Sequence, residues 1–499
     1  MLQSLTPGLI LGIVALYFAV LMAVSYWTSK DTGNASFFLA NRESPWYLVA
    51  FGMIGASLSG VTFISIPGVV GGTGKNMDFS YLQVVFGYLV GYLVIATVLM
   101  PLYYRLQLTS IYGYLEKRFG FRSYQTGAAF FLLSRTIGAA FRLYLVASVL
   151  QVFVMDEWGI PFALTVLITI LLIWTYTFRG GIRTIVYTDA LQTFCMLLAV
   201  ILTILAIGQS LDLGLGGLIA EIRSSEYSQV FFFANGWSDP NNFFKQFLSG
   251  MFITIVMTGL DQDMMQKNLS CRTIGEAQKN MFSFSVVLVV ANLLFLALGA
   301  LLFIYASHVG IEIPSRTDYL YPTIALQHLK PWVGIVFVLG LIAAAYSSAD
   351  SALTALTTSF CVDFLGFERE ENPDPAAQQR TRFRVHIAFS VLLFFLIVIF
   401  EALNNDAVIN SLFTAAGYTY GPLLGLYAFG LFMRKRKVVD EYAPLVCIVA
   451  PILTFVLNRY SDVLLFGYQF GFELLLLNGL LTFLGLFIFS DYSIDEDRE

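Results

Sequence analysis

The sequence predicts an all-α polytopic membrane protein, and its composition and its apolar segments support this prediction. Of its 499 residues, 58% are hydrophobic and 12% are charged, and the mean hydropathy is +0.75. Soluble domains carry about 25% charged residues, so this composition does not suit a chain that folds in water. Apolar runs of about 20 residues, the length of a helix that crosses a bilayer core of ~30 Å, recur along the chain.

These runs place about thirteen transmembrane helices in one membrane unit, since no segment between them is long enough for a separate soluble domain. The predicted helices cover residues 7–29, 46–72, 79–106, 124–154, 159–178, 183–209, 243–268, 277–306, 332–366, 379–403, 408–433, 441–458 and 467–490. A lipid bilayer is therefore the expected surrounding of the chain.

Several functional classes are not expected. A net charge of −5, spread thinly, argues against a nucleic-acid partner. The four cysteines are far apart and the three histidines have no ligand spacing, so neither a disulfide framework nor a metal centre is predicted. No catalytic constellation or nucleotide-binding loop is recognisable, so we do not expect an enzyme, and we find no signalling domain that would make the chain a transport sensor.

Basic residues predict the orientation, because Lys and Arg are enriched in cytoplasmic loops. Nineteen of them follow odd-numbered helices, Lys30, Arg179 and Lys267 among them, whereas the N-terminus and the loops after even-numbered helices hold five. We therefore predict an inner or plasma membrane protein with its N-terminus outside and its C-terminus in the cytoplasm.

Two predicted helices contain interruptions. The second predicted helix is rich in Gly, Ala and Ser between Gly52 and Gly60. The seventh predicted helix contains Asp261 and Asp263 shortly after Gly259. Broken helices at corresponding places in two halves are typical of the midplane binding site of secondary transporters. The alternative for the second helix is that its small residues only allow neighbouring helices to approach closely.

The interrupted helices are five helices apart, and an odd offset means that the second copy crosses the membrane in the opposite direction. We therefore predict an inverted repeat of residues 46–209 and 243–433. One extra helix precedes it (7–29), and two follow it (441–490).

The ninth predicted helix carries a polar stripe. Ala344, Ser347, Ser348 and Ser351 share one helical face, and Asp350 lies beside it. Hydroxyl and carbonyl oxygens with one or two carboxylates suit a hard alkali cation. Interhelical hydrogen bonding is the alternative role for these serines.

Asp189 of the sixth predicted helix is the second carboxylate at membrane depth. If the sixth and ninth helices touch, Asp189, Ser347, Asp350 and Ser351 can surround one cation. Two buried carboxylates require a counter-charge, for which the candidates are a sodium ion, a shared proton or an arginine such as Arg142.

Two arginines lie seven residues apart on one face of the fourth predicted helix. We expect Arg135 to lie near the inner boundary and to extend to water. Arg142 lies deeper and requires a carboxylate, a substrate anion or a water-filled cavity, so structural ion pairing and substrate binding both remain open for it.

Six short segments in the first eleven predicted helices carry a resemblance. They are Ser36-Phe-Phe-Leu-Ala-Asn-Arg42, Ala56-Ser-Leu-Ser-Gly-Val-Thr62, Gly180-Gly181 with Thr188-Asp189 and Gln192, Asp261-Gln262-Asp-Met-Met-Gln266, Ala344-Ala-Tyr-Ser-Ser348 and Gly430-Leu-Phe-Met-Arg434. In this order and spacing they resemble the sodium:solute symporter family, which includes sodium-coupled carriers of sugars, proline, monocarboxylates, iodide and sialic acid.

The resemblance implies a LeuT-like fold with five plus five inverted helices. It also implies a principal sodium site, whose ligands would be the carbonyls of Gly55, Leu58 and Ala344 and the hydroxyls of Ser347 and Ser348.

A second cation site, as in some family members, would use Asp189, Asp350 and Ser351. Here a carboxylate stands where those members have a hydroxyl, so the number of coupled ions, one or two, stays open, as does a proton in place of the second sodium.

The family's substrate cavity maps onto residues of five predicted helices. They are Ser57, Ser59, Thr62, Gln83 or Gly87, Gly138, Asp261, Gln262 and Tyr420. The carboxylate-binding arginine of sialic-acid carriers aligns near Gly138, one turn from Arg142, which we add to this set.

From these observations we expect a sodium-coupled symporter that imports a small polar organic solute, such as a sugar, a sugar acid or another organic carboxylate, by alternating access. A sodium-coupled, proline-like amino-acid carrier is the first alternative. A cation channel is the second, and it would require a continuous polar pore.

Overall fold

A computed structural model of the chain describes residues 7–28, 34–177, 181–234, 236–370, 374–403 and 408–492. Two of the basic residues used to predict the orientation, Lys30 and Arg179, lie outside these ranges, as do Gly180 and the chain after residue 492. The described residues are almost entirely helical.

The first half of the described chain contains eleven helices. They are α1 (Pro7–Thr28), α2 (Asn34–Leu39), α3 (Trp46–Ser57), α4 (Gly60–Val69), α5 (Tyr81–Val94), α6 (Met100–Arg105), α7 (Gly113–Arg118), α8 (Phe121–Leu150), α9 (Phe162–Thr177), α10 (Gly181–Ser210) and α11 (Leu215–Ser224).

The second half contains eleven more. They are α12 (Phe243–Thr254), α13 (Gln262–Leu269), α14 (Ile274–Val309), α15 (Leu320–Thr323), α16 (Pro331–Ser359), α17 (Pro375–Leu403), α18 (Val408–Thr419), α19 (Gly421–Phe432), α20 (Ala443–Arg459), α21 (Ser461–Leu464) and α22 (Leu474–Ile488).

Among the described residues, eight helices are long and apolar enough to cross a membrane, and two bent pairs raise the number to ten. Three shorter apolar helices, in α9, α19 and α22, add to these. The count of thirteen stays a prediction, because it requires each bent pair to be one span and each short helix to be another.

Both predicted interruptions are confirmed. Helices α3 and α4 form one apolar segment bent by 52°, and α12 and α13 form another bent by 63°. The first break falls at Leu58 and Ser59, where the backbone leaves helical geometry. The second falls at Leu260 and Asp261, directly after a π-helical turn, and such turns are frequent at functional sites.

The helices that flank these breaks form the centre of the bundle. Helix α10 packs against both α3 and α16, and α8 packs against α16, α17 and α18. The first break therefore lies beside α16, the helix that carries the serine stripe.

A short antiparallel pairing of β1 (Arg436–Val438) with β2 (Ser490–Tyr492) was not predicted from the apolar pattern. It joins the segment after α19 to the segment after α22. Both segments therefore lie at the same end of the bundle, which fits two membrane crossings between them.

Glycines permit a close crossing of α5 and α12. A Cβ on Gly250 would overlap the Val84 carbonyl oxygen, and one on Gly87 would overlap the Phe247 carbonyl oxygen. Small residues that let helix backbones meet are a common packing device in membranes. The small-residue packing considered for the second predicted helix therefore also operates at the seventh.

We expect Gly250→Ala to destabilise the protein by about 1–3 kcal/mol, the usual cost of overpacking. Gly12→Ala on α1 is the matched control, because no atom lies within 4 Å of the added Cβ. Thermal unfolding in detergent should give a lower Tm for Gly250→Ala and no decrease for Gly12→Ala. Equal Tm values would contradict the close crossing.

Candidate functional site

A cavity lies at the first break, between α3–α4, α5, α8, α12 and α18. It contains about 670 Å³ of empty space, including the part that is open to solvent. Ser57, Ser59 and Thr62 line it together with Arg142. The structure therefore brings four of the predicted substrate residues to one cavity.

Arg142 presents an unsatisfied cation to this cavity. It is 7% exposed, and its Nε and Nη1 atoms are buried without a hydrogen-bond partner among the described residues. No carboxylate of the described chain forms an ion pair with it. Since an unpaired buried charge is unfavourable, this arrangement leaves the guanidinium available to an anion from outside the chain.

The start of α4 adds positive partial charge at the same place. Ser59, which directly precedes α4, lines the cavity, so the N-terminus of α4 lies at the same cavity as Arg142. The free N–H groups of a helix N-terminus favour negative charge. Ser59 and Thr62 add hydroxyls on the same lining.

The remaining lining of the cavity is largely apolar and aromatic, with Arg135 as a second cation. Tyr81, Tyr88 and Tyr92 of α5 line one wall, and Thr258 and Asn292 contribute further polar groups. Among the described lining residues there is no Asp or Glu. The cavity therefore favours an anionic or neutral solute over a cationic one.

A second, smaller cavity of about 270 Å³ of empty space adjoins the first at Arg135 and Arg142. Gly138 and Tyr420, both predicted substrate residues, line it. A Cβ on Gly138 would meet only Leu412 Cδ1, at 3.7 Å. The absence of a side chain at Gly138 thus keeps this space open.

The structure corrects the prediction for Arg135. This residue is 2% exposed and does not extend to water. Its Nη2 is ion-paired with Asp263 Oδ2, and its Nη1 lies 3.9 Å from Asp261 Oδ2. Since Asp261 and Asp263 flank the second break, Arg135 neutralises the charge of that break, and Arg142 lacks such a partner.

Asp261 itself stabilises the second break rather than lining the cavity, which corrects its predicted substrate contact. Its Oδ1 accepts hydrogen bonds from the N–H groups of Asp263 (2.9 Å) and Met264 (3.4 Å), which makes it the N-cap of α13. Its Oδ2 accepts a 2.6 Å hydrogen bond from the Tyr420 hydroxyl. Tyr420 therefore holds the break from α18–α19 and also borders the smaller cavity.

Gln262 is also placed away from both cavities, in contrast to its predicted role. Its Nε2 donates to the Thr109 carbonyl at 2.7 Å, and its Oε1 accepts from the Ile111 N–H at 2.9 Å. The side chain fastens the second break to the segment between α6 and α7.

Gln83 is corrected in the same way. Its Nε2 donates to the Asn241 carbonyl (2.9 Å) and to Gln246 Oε1 (3.1 Å), and its Oε1 accepts from the Phe232 N–H (3.2 Å). These bonds hold the segment before α12 against α5. The alternative position, Gly87, lies at the close crossing of α5 and α12.

Of the residues predicted for the principal sodium site, the structure places Gly55 of α3 next to Ser347 of α16. The Leu58 N–H closes the last turn of α3 on the Ile54 carbonyl at 2.8 Å, and the carbonyls that follow at such a helix end have no donor within the helix. A Cβ on Gly55 would lie 3.3 Å from Ser347 Oγ. The end of α3 therefore packs against α16 at Ser347, and a sodium ion held by the carbonyls of Gly55 and Leu58 and by the stripe of Ala344, Ser347 and Ser348 stays a prediction.

Two hydroxyls at this place are unsatisfied. Ser348 Oγ and Thr193 Oγ1 are buried without a hydrogen-bond partner among the described residues. Thr193 lies on α10 and would overlap a Cβ on Gly55. It was not among the predicted sodium ligands. Its position four residues after Asp189 indicates that both side chains share one helical face, since residues i and i+4 do so.

The structure supplies a counter-charge for Asp189 that was not among the predicted candidates. Lys267 Nζ lies 2.7 Å from Asp189 Oδ2, and Ser347 Oγ donates a 2.8 Å hydrogen bond to Oδ1. Lys267, which we had assigned to a cytoplasmic loop, is 1% exposed on α13. The sequence does not indicate Lys267 as the counter-charge of Asp189, because the polar segment around this lysine has the composition of a loop.

The other two members of the second cation site have different partners. The Ser351 hydroxyl donates to Asp263 Oδ1, and Asp350 Oδ1 accepts the Ser351 N–H at 2.5 Å. Asp189 already has a cationic partner. A sodium ion bound by Asp189, Asp350 and Ser351 therefore stays a prediction that has lost its main argument.

Asp318 joins α4 to α18. It lies between α14 and α15 and accepts hydrogen bonds from the Ser65 hydroxyl (2.7 Å) and the Val408 N–H (3.1 Å). Burial raises the pKa of Asp318 above its usual value. Both helices that it joins carry residues of the cavity lining.

Comparisons with known proteins agree with this geometry. The model of the sodium:solute symporter family matches residues 37–438. The chain is 26% identical to a sodium/sialic acid symporter of Aliivibrio fischeri over 88% of this chain and 85% of that protein. It is 25% identical to a sodium/sialic acid symporter of Proteus mirabilis, over 91% and 90%. It is 26% identical to the sodium-coupled monocarboxylate transporter 2 of Danio rerio, over 83% and 67%.

Solved structures share the fold. A substrate-bound, outward-open sodium-coupled sialic acid symporter superposes with a TM-score of 0.81 at 20% identity, over 96% of this chain and 97% of that one. Mhp1, a nucleobase–cation symporter in a closed conformation, gives 0.55 at 13% identity over 92% and 96%. The predicted LeuT-like fold is confirmed. The chain belongs to the sodium:solute symporter family, and it is a multi-pass membrane transporter that couples sodium to the symport of a small organic solute.

Proposed function

We propose that this symporter imports a small organic acid, whose carboxylate binds Arg142 in the cavity at the first break. The observation that carries the proposal is the Arg142 guanidinium, which is buried in the cavity wall without a carboxylate partner in the described chain. The N-terminus of α4 adds positive partial charge at the same cavity. The hydroxyls of Ser57, Ser59 and Thr62 suit the polar groups of a sugar acid.

The relatives point to the same class of solute. Sialic acid and monocarboxylates, in the names of the proteins that this chain resembles, are organic acids. An amino acid would also bring an ammonium group, which requires an acceptor of negative charge. The described cavity lining contains no carboxylate, so we favour an acid without an ammonium group over the proline-like alternative.

For sodium we propose the principal site, with Thr193 added to its residues. Carbonyl and hydroxyl oxygens are the ligands that a hard cation prefers. The Ser347 hydroxyl donates a hydrogen bond to Asp189, which leaves the lone pairs of its oxygen for a cation. The unsatisfied hydroxyls of Ser348 and Thr193 provide further oxygens.

We also propose that the N-terminus lies outside and the C-terminus in the cytoplasm, in an inner or plasma membrane. Without the buried Lys267, eighteen basic residues still follow the odd-numbered helices and five belong to the other side. An asymmetry of this size favours one orientation.

Purified protein in liposomes tests the solute class. With an inward sodium gradient we expect uptake of sialic acid or pyruvate, and no uptake of glucose or proline. Transport of glucose without transport of either acid would contradict the role given to Arg142.

Arg142 and Arg135 should respond oppositely to the same substitution. Arg142→Gln should weaken uptake of the acid about 10- to 100-fold, because a hydrogen bond to a charged group contributes about 1.5–3 kcal/mol, and it should leave the Tm unchanged or higher. Arg135→Gln should lower stability by about 3–5 kcal/mol, because it leaves the buried carboxylates of Asp261 and Asp263 unpaired. Uptake assays and thermal unfolding separate the two roles, and normal uptake by Arg142→Gln would refute the proposal.

The sodium site is tested by Ser348→Ala. Loss of one ligand should raise the sodium concentration for half-maximal uptake about tenfold, equivalent to ~1.4 kcal/mol. Ser148→Ala on α8 is the control, because its buried hydroxyl bonds only to the Tyr144 carbonyl within its own helix (2.9 Å). If sodium dependence is unchanged in folded Ser347→Ala/Ser348→Ala, the site lies elsewhere.

Reporters fused after Glu499 test the orientation. Alkaline phosphatase, which is active only outside the cytoplasm, should be inactive there, and green fluorescent protein should fluoresce. The reverse pattern would place the C-terminus outside and overturn the predicted number of crossings.

A further inference from the structure

Lys267 and Asp189 form an ion pair inside the bundle, one step away from the proposed sodium ligands. Asp189 is 0% and Lys267 1% exposed, and Lys267 Nζ lies 2.7 Å from Asp189 Oδ2. The lysine lies in the last turn of α13, where a cation is favourable. The pair therefore joins the helix after the second break to α10.

Both carboxylate oxygens of Asp189 are engaged. Oδ2 accepts from the Lys267 ammonium, and Oδ1 accepts from the Ser347 hydroxyl at 2.8 Å. The Gln192 amide, in the orientation in which its nitrogen donates, adds a 3.3 Å hydrogen bond to Oδ1. Asp189 thus holds one cation already and orients a hydroxyl of the principal site.

A sodium ion on the same carboxylate would have to lie close to the ammonium group. Two like charges within a few ångströms of each other repel strongly in the low-dielectric interior of the bundle. Sodium could bind Asp189 only if Lys267 moved away, and a displaced ammonium would then remain buried without a partner.

We propose that Lys267 is a built-in cation that takes the ion position at Asp189, so that this symporter couples a single sodium ion, bound at the principal site. The lysine replaces a diffusible second ion with a covalently attached one. The inference depends on sodium-coupled symport and on the proposed place of the principal site.

Equilibrium binding of radioactive ²²Na⁺ to the purified full-length protein, in choline chloride and without solute, tests the proposal. The wild type should bind one sodium ion per chain. Lys267→Met removes the ammonium and leaves the carboxylate, so this variant should bind two. Two ions on the wild type, or one ion on folded Lys267→Met, would overturn the proposal.

Two variants serve as controls. Lys245→Met removes another buried lysine, 1% exposed and paired with Glu473 at 3.2 Å, and should leave the count at one. Asp189→Asn/Lys267→Met removes both charges and should also bind one ion. A second ion on either variant would show that Asp189 is not the ligand that Lys267 blocks, which overturns the proposal.

Folding gives an independent readout for Lys267→Met. An uncompensated Asp189 should make this variant depend on sodium, so its Tm should rise with NaCl much more than that of the wild type, with choline chloride as reference. A variant that stays unfolded in both salts contradicts the inference, since sodium then fails to replace the ammonium. Ser348→Ala distinguishes the proposal for the principal site from the proposal for Lys267. If this variant binds one sodium ion as tightly as the wild type, the principal site lies elsewhere, and Lys267→Met is still expected to bind one additional ion.

Discussion

A charged side chain that is removed from water needs a counter-charge, and this requirement organises the centre of the bundle. Arg135 meets it with Asp263 and, more distantly, Asp261, and Lys267 meets it with Asp189. Arg142 has no such partner in the described chain. The paired cations therefore stabilise the fold, whereas Arg142, which has no carboxylate partner in the described chain, is the residue that we propose binds the solute.

The same requirement explains how the segment of α12 and α13 can contain a break. A break exposes backbone groups and, here, places two carboxylates at membrane depth, both of which are unfavourable in an apolar surrounding. Asp261 caps α13 and accepts from Tyr420, and Arg135 neutralises the pair. The interruption is thus held from α8 and from the α18–α19 region, which also border the two cavities.

The sequence predicts the features that depend on local pattern. The small residues around Gly55 and the Gly259–Asp261 segment indicate both breaks, and the spacing of Ser347 and Ser348 indicates a polar face. Partners across the bundle are not available from one sequence: Lys267 and Asp189 are 78 residues apart, and only the packing of α10 against α13 and α16 joins them. The predicted substrate contacts of Gln83 and Gln262 were wrong for the same reason. Their side chains form hydrogen bonds with backbone groups that are distant in sequence.

The hydrogen bonds also connect the two breaks. Sodium at the principal site would contact carbonyls of the first break and the Ser347 hydroxyl, Ser347 bonds to Asp189, and Asp189 bonds to Lys267 beyond the second break. An ion that stabilises this series of hydrogen bonds in one arrangement of the helices must, by linkage, bind more tightly to that arrangement. Arg142 lies on α8, the helix that holds the second break through Arg135. A solute bound to Arg142 and a sodium ion at the proposed principal site would therefore act on the same two broken helices. Coupling between them then requires no direct contact between ion and solute, only a shared preference for one packing of α3–α4 and α12–α13.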